Sequence, residues 1–202
     1  MKSISTRRRL VAVALGAGIL APLAFAGVAN ASPVTTETPT ASATITGGTL
    51  SFVSTPGNIT FPAVVLNGTN QTTSATEPLN IGDNTGSLAG WNITATSTQF
   101  SATVGSSTYT LPTSALTIGS APTVAADSGS TATLAVETSA ITYPVTIPAG
   151  ATAPTAVKIF NANTGTGMGD QTVTPNFTLA IPSSATAGAY SSTWTFSLVS
   201  AP

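Results

Sequence analysis

From residue 43 onward, short runs of β-branched and apolar residues alternate with Thr and Ser, and each run is bounded by Gly, Pro, Asn or Asp. A period of two places residues i and i+2 on one face of a strand, whereas an amphipathic helix needs apolar positions three and four apart, a pattern essentially missing here. The alternation predicts strands over residues 44–53, 59–66, 91–103, 141–147, 156–161, 172–181 and 190–199, with weaker candidates at 77–81, 108–111, 116–118 and 131–136. About ten short strands of uneven length and spacing point to an all-β, single antiparallel β-sandwich domain rather than a closed barrel, with the topology open.

Two runs carry the only tryptophans. Trp91 shares a strand face with Ile93, and Trp194 shares one with Phe196 and Leu198, with Tyr190 further back on the same face. Each is a Trp-x-apolar wedge. The polar alternates Ser191, Thr193, Thr195 and Ser197 mark the last run as half-buried, so its aromatic face reads as core; an exposed platform for sugar rings is the other reading of the same residues.

The beginning of the chain has a different pattern. Lys2, Arg7, Arg8 and Arg9 precede an uncharged apolar run from Leu10 to Val28 and then Ala29-Asn30-Ala31, which predicts a secretory signal peptide over residues 1–31 with an A-x-A cleavage site. A membrane anchor is the alternative, weakened by Pro22 and the many small residues. Thr6-Arg7-Arg8-Arg9-Leu10 loosely resembles a twin-arginine signal, but nothing downstream reads as a cofactor site, which favours the general export route. Residues 32–42 are polar, non-periodic and broken by Pro33 and Pro39, a flexible, disordered linker before a domain over residues 43–202.

Cleavage changes the charge picture. Only Lys158 then faces six acids, Glu37, Glu77, Asp83, Asp127, Glu137 and Asp170, for a formal charge of −5. One lysine cannot neutralise a phosphate backbone, which excludes nucleic acid and, after cleavage, an anionic membrane as partners. Charged residues make up 5% of the chain, against roughly 25% in an ordinary soluble domain. There is no cysteine, so an exported domain of this length draws its stability from its core and not from disulfides.

Catalytic templates mostly fail. Without His or Cys there is no triad, thiol nucleophile, imidazole base or Cys/His zinc site. Asp83 and Asp170 lie in glycine-rich stretches and on paper allow a glycosidase pair, or with Asn84 a calcium site, but solvated loop acids are the plainer reading of both. The stretch Gly165-Thr166-Gly167-Met168-Gly169 follows a strand but leads to no Lys-Ser/Thr and no helix, so it is read as a connecting loop and not a phosphate cradle. The five Asn-x-Thr sequons fall to chance in so threonine-rich a chain, and Leu111-Pro112-Thr113 is internal and lacks the rest of a sortase signal. No cofactor or metal is expected.

The segment Leu79-Asn80-Ile81-Gly82-Asp83-Asn84-Thr85-Gly86-Ser87-Leu88-Ala89-Gly90-Trp91-Asn92-Ile93-Thr94 resembles the first motif of the WxL domain family, wall-binding modules of Gram-positive surface proteins. The glycine stretch 165–169, Phe177-Thr178-Leu179-Ala180-Ile181-Pro182, Ala187-Gly188-Ala189-Tyr190 and Thr193-Trp194-Thr195-Phe196-Ser197-Leu198 follow the family's closing order. Ile93 and Phe196 stand where the family prefers Leu, and the basic residue often found after the first-motif Asp is absent. The resemblance implies a secreted, extracellular protein attached non-covalently to peptidoglycan, with Trp91, Ile93, Trp194 and Phe196 as motif residues and Asp83 as a lesser one. It also implies association with other surface proteins. A structural subunit that assembles with itself or with such partners, without direct glycan binding, is the alternative.

Overall fold

The computed structural model describes residues 35–137 and 140–200; the expected signal peptide lies outside them. Residues 35–43 form no regular element, and a compact unit begins at Thr44. The described residues contain strands and no helix. The strands are β1 (Leu50–Phe52), β2 (Gln71–Thr76), β3 (Leu79–Asp83), β4 (Trp91–Thr98), β5 (Ser101–Val104), β6 (Ser107–Thr110) and β7 (Leu116–Ile118). They continue as β8 (Thr123–Ala126), β9 (Val145–Thr146), β10 (Ala149–Gly150), β11 (Val157–Ala162), β12 (Gly169–Thr174), β13 (Asn176–Ile181) and β14 (Trp194–Ser200).

Two ladders, β1-β3-β12-β8 and β2-β13-β7-β9, are joined end to end. Only Glu77 and Pro78 separate β2 from β3, only Pro175 separates β12 from β13, and the Glu77 amide donates to the Pro175 carbonyl at 3.4 Å. A proline has no N–H for the ladder, so both long strands bend at the same level and form one folded sheet. The opposing sheet is built on β4, which pairs antiparallel with β14 and with β11 and, at its C-terminal end, parallel with the short β10. Strands β5 and β6 form a separate hairpin.

The core lies between the two sheets. Leu79, Ile81, Val173 and Phe177 come from the folded sheet, and Trp91, Ile93 and Phe160 from the other; all seven are fully buried. Trp91 packs on Phe160 with ring centroids 5.5 Å apart, and Phe177 meets Trp194 edge-on at 4.8 Å across the sandwich. Side chains of β4 are buried on both faces, as expected of a strand with neighbours on both sides and covering loops above.

The all-β sandwich read from the sequence is the observed architecture, but several strand boundaries differ. The expected strand at 172–181 is two strands in different ladders because Pro175 breaks it, and that at 91–103 divides at Gln99 and Phe100. Segment 59–66 alternates at its start yet joins no ladder among the described residues: Pro56 precedes it and Pro62 interrupts it, and its half-buried Ile59 and Phe61 pack against the core without backbone pairing. Segment 131–136 makes only an isolated bridge at Thr133, while the polar β2 was unexpected because its pairing with β13 gives it a place that its own pattern does not announce.

Candidate functional site

The two Trp wedges occupy different environments. Trp91 opens β4 and is fully buried, and its indole Nε1 donates to the Gly167 carbonyl at 2.9 Å. Gly90, at φ +76°, allows the approach: a Cβ there would sit 2.6 Å from the Ala162 carbonyl oxygen. Gly167, at φ +82°, lies so close that a Cβ would meet Nε1 at 2.6 Å. Thus the glycine loop is the seat of the Trp91 ring, and Gly90-Trp91 and the stretch 165–169, distant in sequence, form one packing unit. Ile93 follows on the same buried face.

Asp83 ends β3 on the core-facing side, 4% exposed, and its Oδ1 accepts from the Thr85 amide at 3.1 Å and the Thr85 hydroxyl at 2.7 Å. This closes an Asx turn that starts the loop into Trp91. Asp83 is in register with Gly169, and Asp170 with Gly82. Neighbouring positions on a strand point to opposite faces, so Asp83 and Asp170 do not converge on a common substrate or ion. Among the described residues no three acidic side chains gather as a metal site.

Trp194 and Phe196, by contrast, are only half-buried. Together with Phe100 and Phe61 they pave a groove of about 1220 Å³. The paving is edge-to-face: Trp194 to Phe100 at 6.4 Å and 83°, Phe100 to Phe61 at 5.9 Å and 78°. The groove runs along the open seam of the sandwich. On one side is β14, which among the described residues pairs with β4 alone; on the other is segment 55–66, which joins no ladder among them and is held near β2 by Gly57 N donating to Glu77 Oε1 and Thr73 Oγ1 donating to the Pro62 carbonyl. Tyr190, its hydroxyl fixed to the Thr186 carbonyl at 2.9 Å, closes one part of the wall. None of the lining residues is charged, and Thr and Ser supply hydroxyls along the walls.

Sequence reasoning named Trp194 and Phe196 as motif residues on a face read as core, and did not name Phe61, Phe100 or Ile59, which line the same groove. The available signal was the pair of prolines around 57–61, which argues against a ladder strand and for an apolar segment laid across an edge.

Away from the groove, Glu137 accepts from the Asn161 amide through both carboxylate oxygens at 3.2 Å and from Tyr143 Oη at 3.3 Å. Burial raises its pKa above the ordinary 4.5, against the lowering effect of the two hydrogen bonds, and burial followed by the Glu137 charge raises that of Tyr143. An acid that binds its proton more tightly when folded stabilises the fold while protonated. Stability is therefore expected to fall as pH rises from about 4.5 through the raised folded value. Thermal melts of the wild type and Glu137→Gln between pH 4 and 8 test this: the variant should lose that part of the slope, and identical slopes would refute it.

The groove is free of charge and floored by aromatic rings, and Asp83 and Asp170 do not converge. The chain belongs to the WxL domain family: the family model described as WxL domain surface cell wall-binding matches residues 21–202. It is accordingly a surface, cell-wall-binding protein of a family defined by attachment and not by catalysis. No curated protein and no solved structure matches the chain.

Proposed function

We propose that the protein is secreted by cleavage after residue 31, and that its domain over residues 43–202 holds peptidoglycan non-covalently, receiving uncharged wall glycan in the groove between β14 and segment 55–66. The absence of charge from an aromatic-floored groove carries this reading. Sugar rings present C–H faces to aromatic rings and hydroxyls to Ser and Thr, and need no ionic partner. The volume exceeds the roughly 300–1,000 Å³ of ordinary small-molecule pockets and suits a length of polymer. A charge of −5 on the cleaved chain disfavours phosphate-rich wall polymers. In this reading Trp194 and Phe196 touch the glycan, while Trp91, Ile93 and Asp83 hold the scaffold behind it. The protein performs no reaction; Asp83 and Asp170, the one paper pair, face opposite sides of their sheet.

The test is co-sedimentation with purified sacculi, comparing wild type with Val65→Glu. Val65 lines the groove and is 84% exposed, so a carboxylate there alters the groove wall at little cost to the fold. Pelleting should fall at least tenfold with the melting temperature nearly unchanged. Wild-type protein left in the supernatant, or a variant that pellets equally, would refute the assignment. The assembly reading is favoured by a separate observation, the unpaired edge of β14.

A further inference from the structure

The walls of the groove have the chemistry of a strand position left open. Strand β14 pairs with β4 on one side, and among the described residues no ladder partner takes its other edge; β1 approaches β14 without pairing with it, and Trp194, Thr195 and Phe196 are the β14 residues that line the groove. Opposite it, segment 58–66 takes part in no ladder among the described residues, with Ile59, Phe61 and Val64 half-buried and the positions between them exposed. Between them lies an apolar floor of Trp194, Phe196, Phe100 and Phe61. An extended peptide laid there would bond β14 through its backbone and bury every second side chain.

The chain carries a segment of that description. Residues 41–46, Ala-Ser-Ala-Thr-Ile-Thr, alternate apolar and polar with period two and contain no charge, and none lies between Thr38 and Gly48. Every residue from 35 to 49 is exposed, none pairs in a ladder, and Ile45 is 96% exposed, the most exposed large hydrophobic side chain among the described residues. The arm departs from a fixed point, since the Gly48 amide donates to the Asn84 carbonyl at 2.7 Å. A bare isoleucine on a strand-patterned arm, in a protein with an uncharged open strand position, is a matched pair.

We propose that residues 41–46 of one copy add as a strand to β14 of a second copy, with Ala41, Ala43 and Ile45 turned to the aromatic floor. Six extended residues span roughly 20 Å, about the length of an ordinary strand. The occupant is another copy of this chain because groove and arm are both free of charge and each leaves unsatisfied what the other supplies. Where the groove also receives glycan, which rests on the function proposed above, the arm competes with the wall, and self-assembly and attachment exclude one another.

The exported chain and its Ile45→Asp variant separate the outcomes. Light scattering over a concentration series should show concentration-dependent association of the wild type, weakened at least tenfold by Ile45→Asp; because Ile45 is exposed, its melting temperature should not move. A synthetic peptide spanning residues 38–48 should shield Trp194 from iodide quenching and block association, and the peptide with Asp at position 45 should do neither. A wild type that stays monomeric into the millimolar range, with a peptide that leaves quenching unchanged, overturns the proposal. A monomer whose Trp194 is shielded until Ile45 is replaced places the arm in its own copy's groove and overturns exchange between copies. Peptide that occupies the groove but leaves sacculus binding intact supports the strand site and removes the glycan from it.

Discussion

Trp91→Ala is expected to unfold the domain or leave it melting far below the wild type. The side chain is fully buried at the junction of β4, the Phe160 ring and the glycine loop. Truncating a buried large aromatic costs about 3–5 kcal/mol in lost transfer energy and cavity. Loss of the Nε1 donor leaves the Gly167 carbonyl without that partner, for about 1–3 kcal/mol more where water cannot replace it. Against a total stability of roughly 5–15 kcal/mol this is enough to abolish cooperative folding. Trp91→Phe should land between, restoring much of the volume but not the hydrogen bond. Gly167→Ala should approach the damage from the other side, through a left-handed backbone and a Cβ in the indole's place. Thermal melts and urea titrations of the three variants test the account, and a Trp91→Ala protein melting within a few degrees of wild type would overturn it.

That seat was only partly legible in the sequence. Alternation placed Trp91 beside Ile93 on one strand face, because a period of two is a local property that side chains report directly. Nothing local reports that the glycines at 165, 167 and 169 approach Trp91, since the contact spans more than seventy residues and depends on β4 and β12 lying in opposed sheets. The same limit explains the strand differences. Segment 59–66 has a strand pattern without a ladder, because backbone pairing depends on which edge is available and not on the segment itself. Strand β2 is the converse, a polar run made a strand by β13. Pro175, which divides 172–181 between two ladders, was visible in the sequence; that both resulting strands continue in one folded sheet depends on Glu77 and Pro78 bending at the same level. The resemblance of both Trp motifs suggested a shared role, yet one lies wholly in the core and the other at the mouth of the seam, because β4 is central and β14 is an edge.

This difference in position sets the second large effect. Trp194→Ala should leave a folded protein that has lost its hold on the wall. The ring is half-buried, so less apolar surface is at stake than at Trp91, and its edge-to-face contacts with Phe177 and Phe100 add roughly 0.5–1.5 kcal/mol each. A total of about 2–3 kcal/mol lowers the melting temperature but is within reach of a marginally stable domain. Binding responds differently. An aromatic anchor at the centre of a groove typically supplies at least about 2 kcal/mol, which corresponds to a loss of affinity of roughly thirtyfold. Trp194→Phe keeps an apolar ring and should recover most of the stability while recovering only part of the binding, because a smaller face covers less of a sugar ring. Circular dichroism melts alongside co-sedimentation with sacculi separate the two quantities. If Trp194→Ala loses stability as Trp91→Ala does, the second wedge is core like the first; if it keeps full wall binding, the glycan contacts another face of the domain.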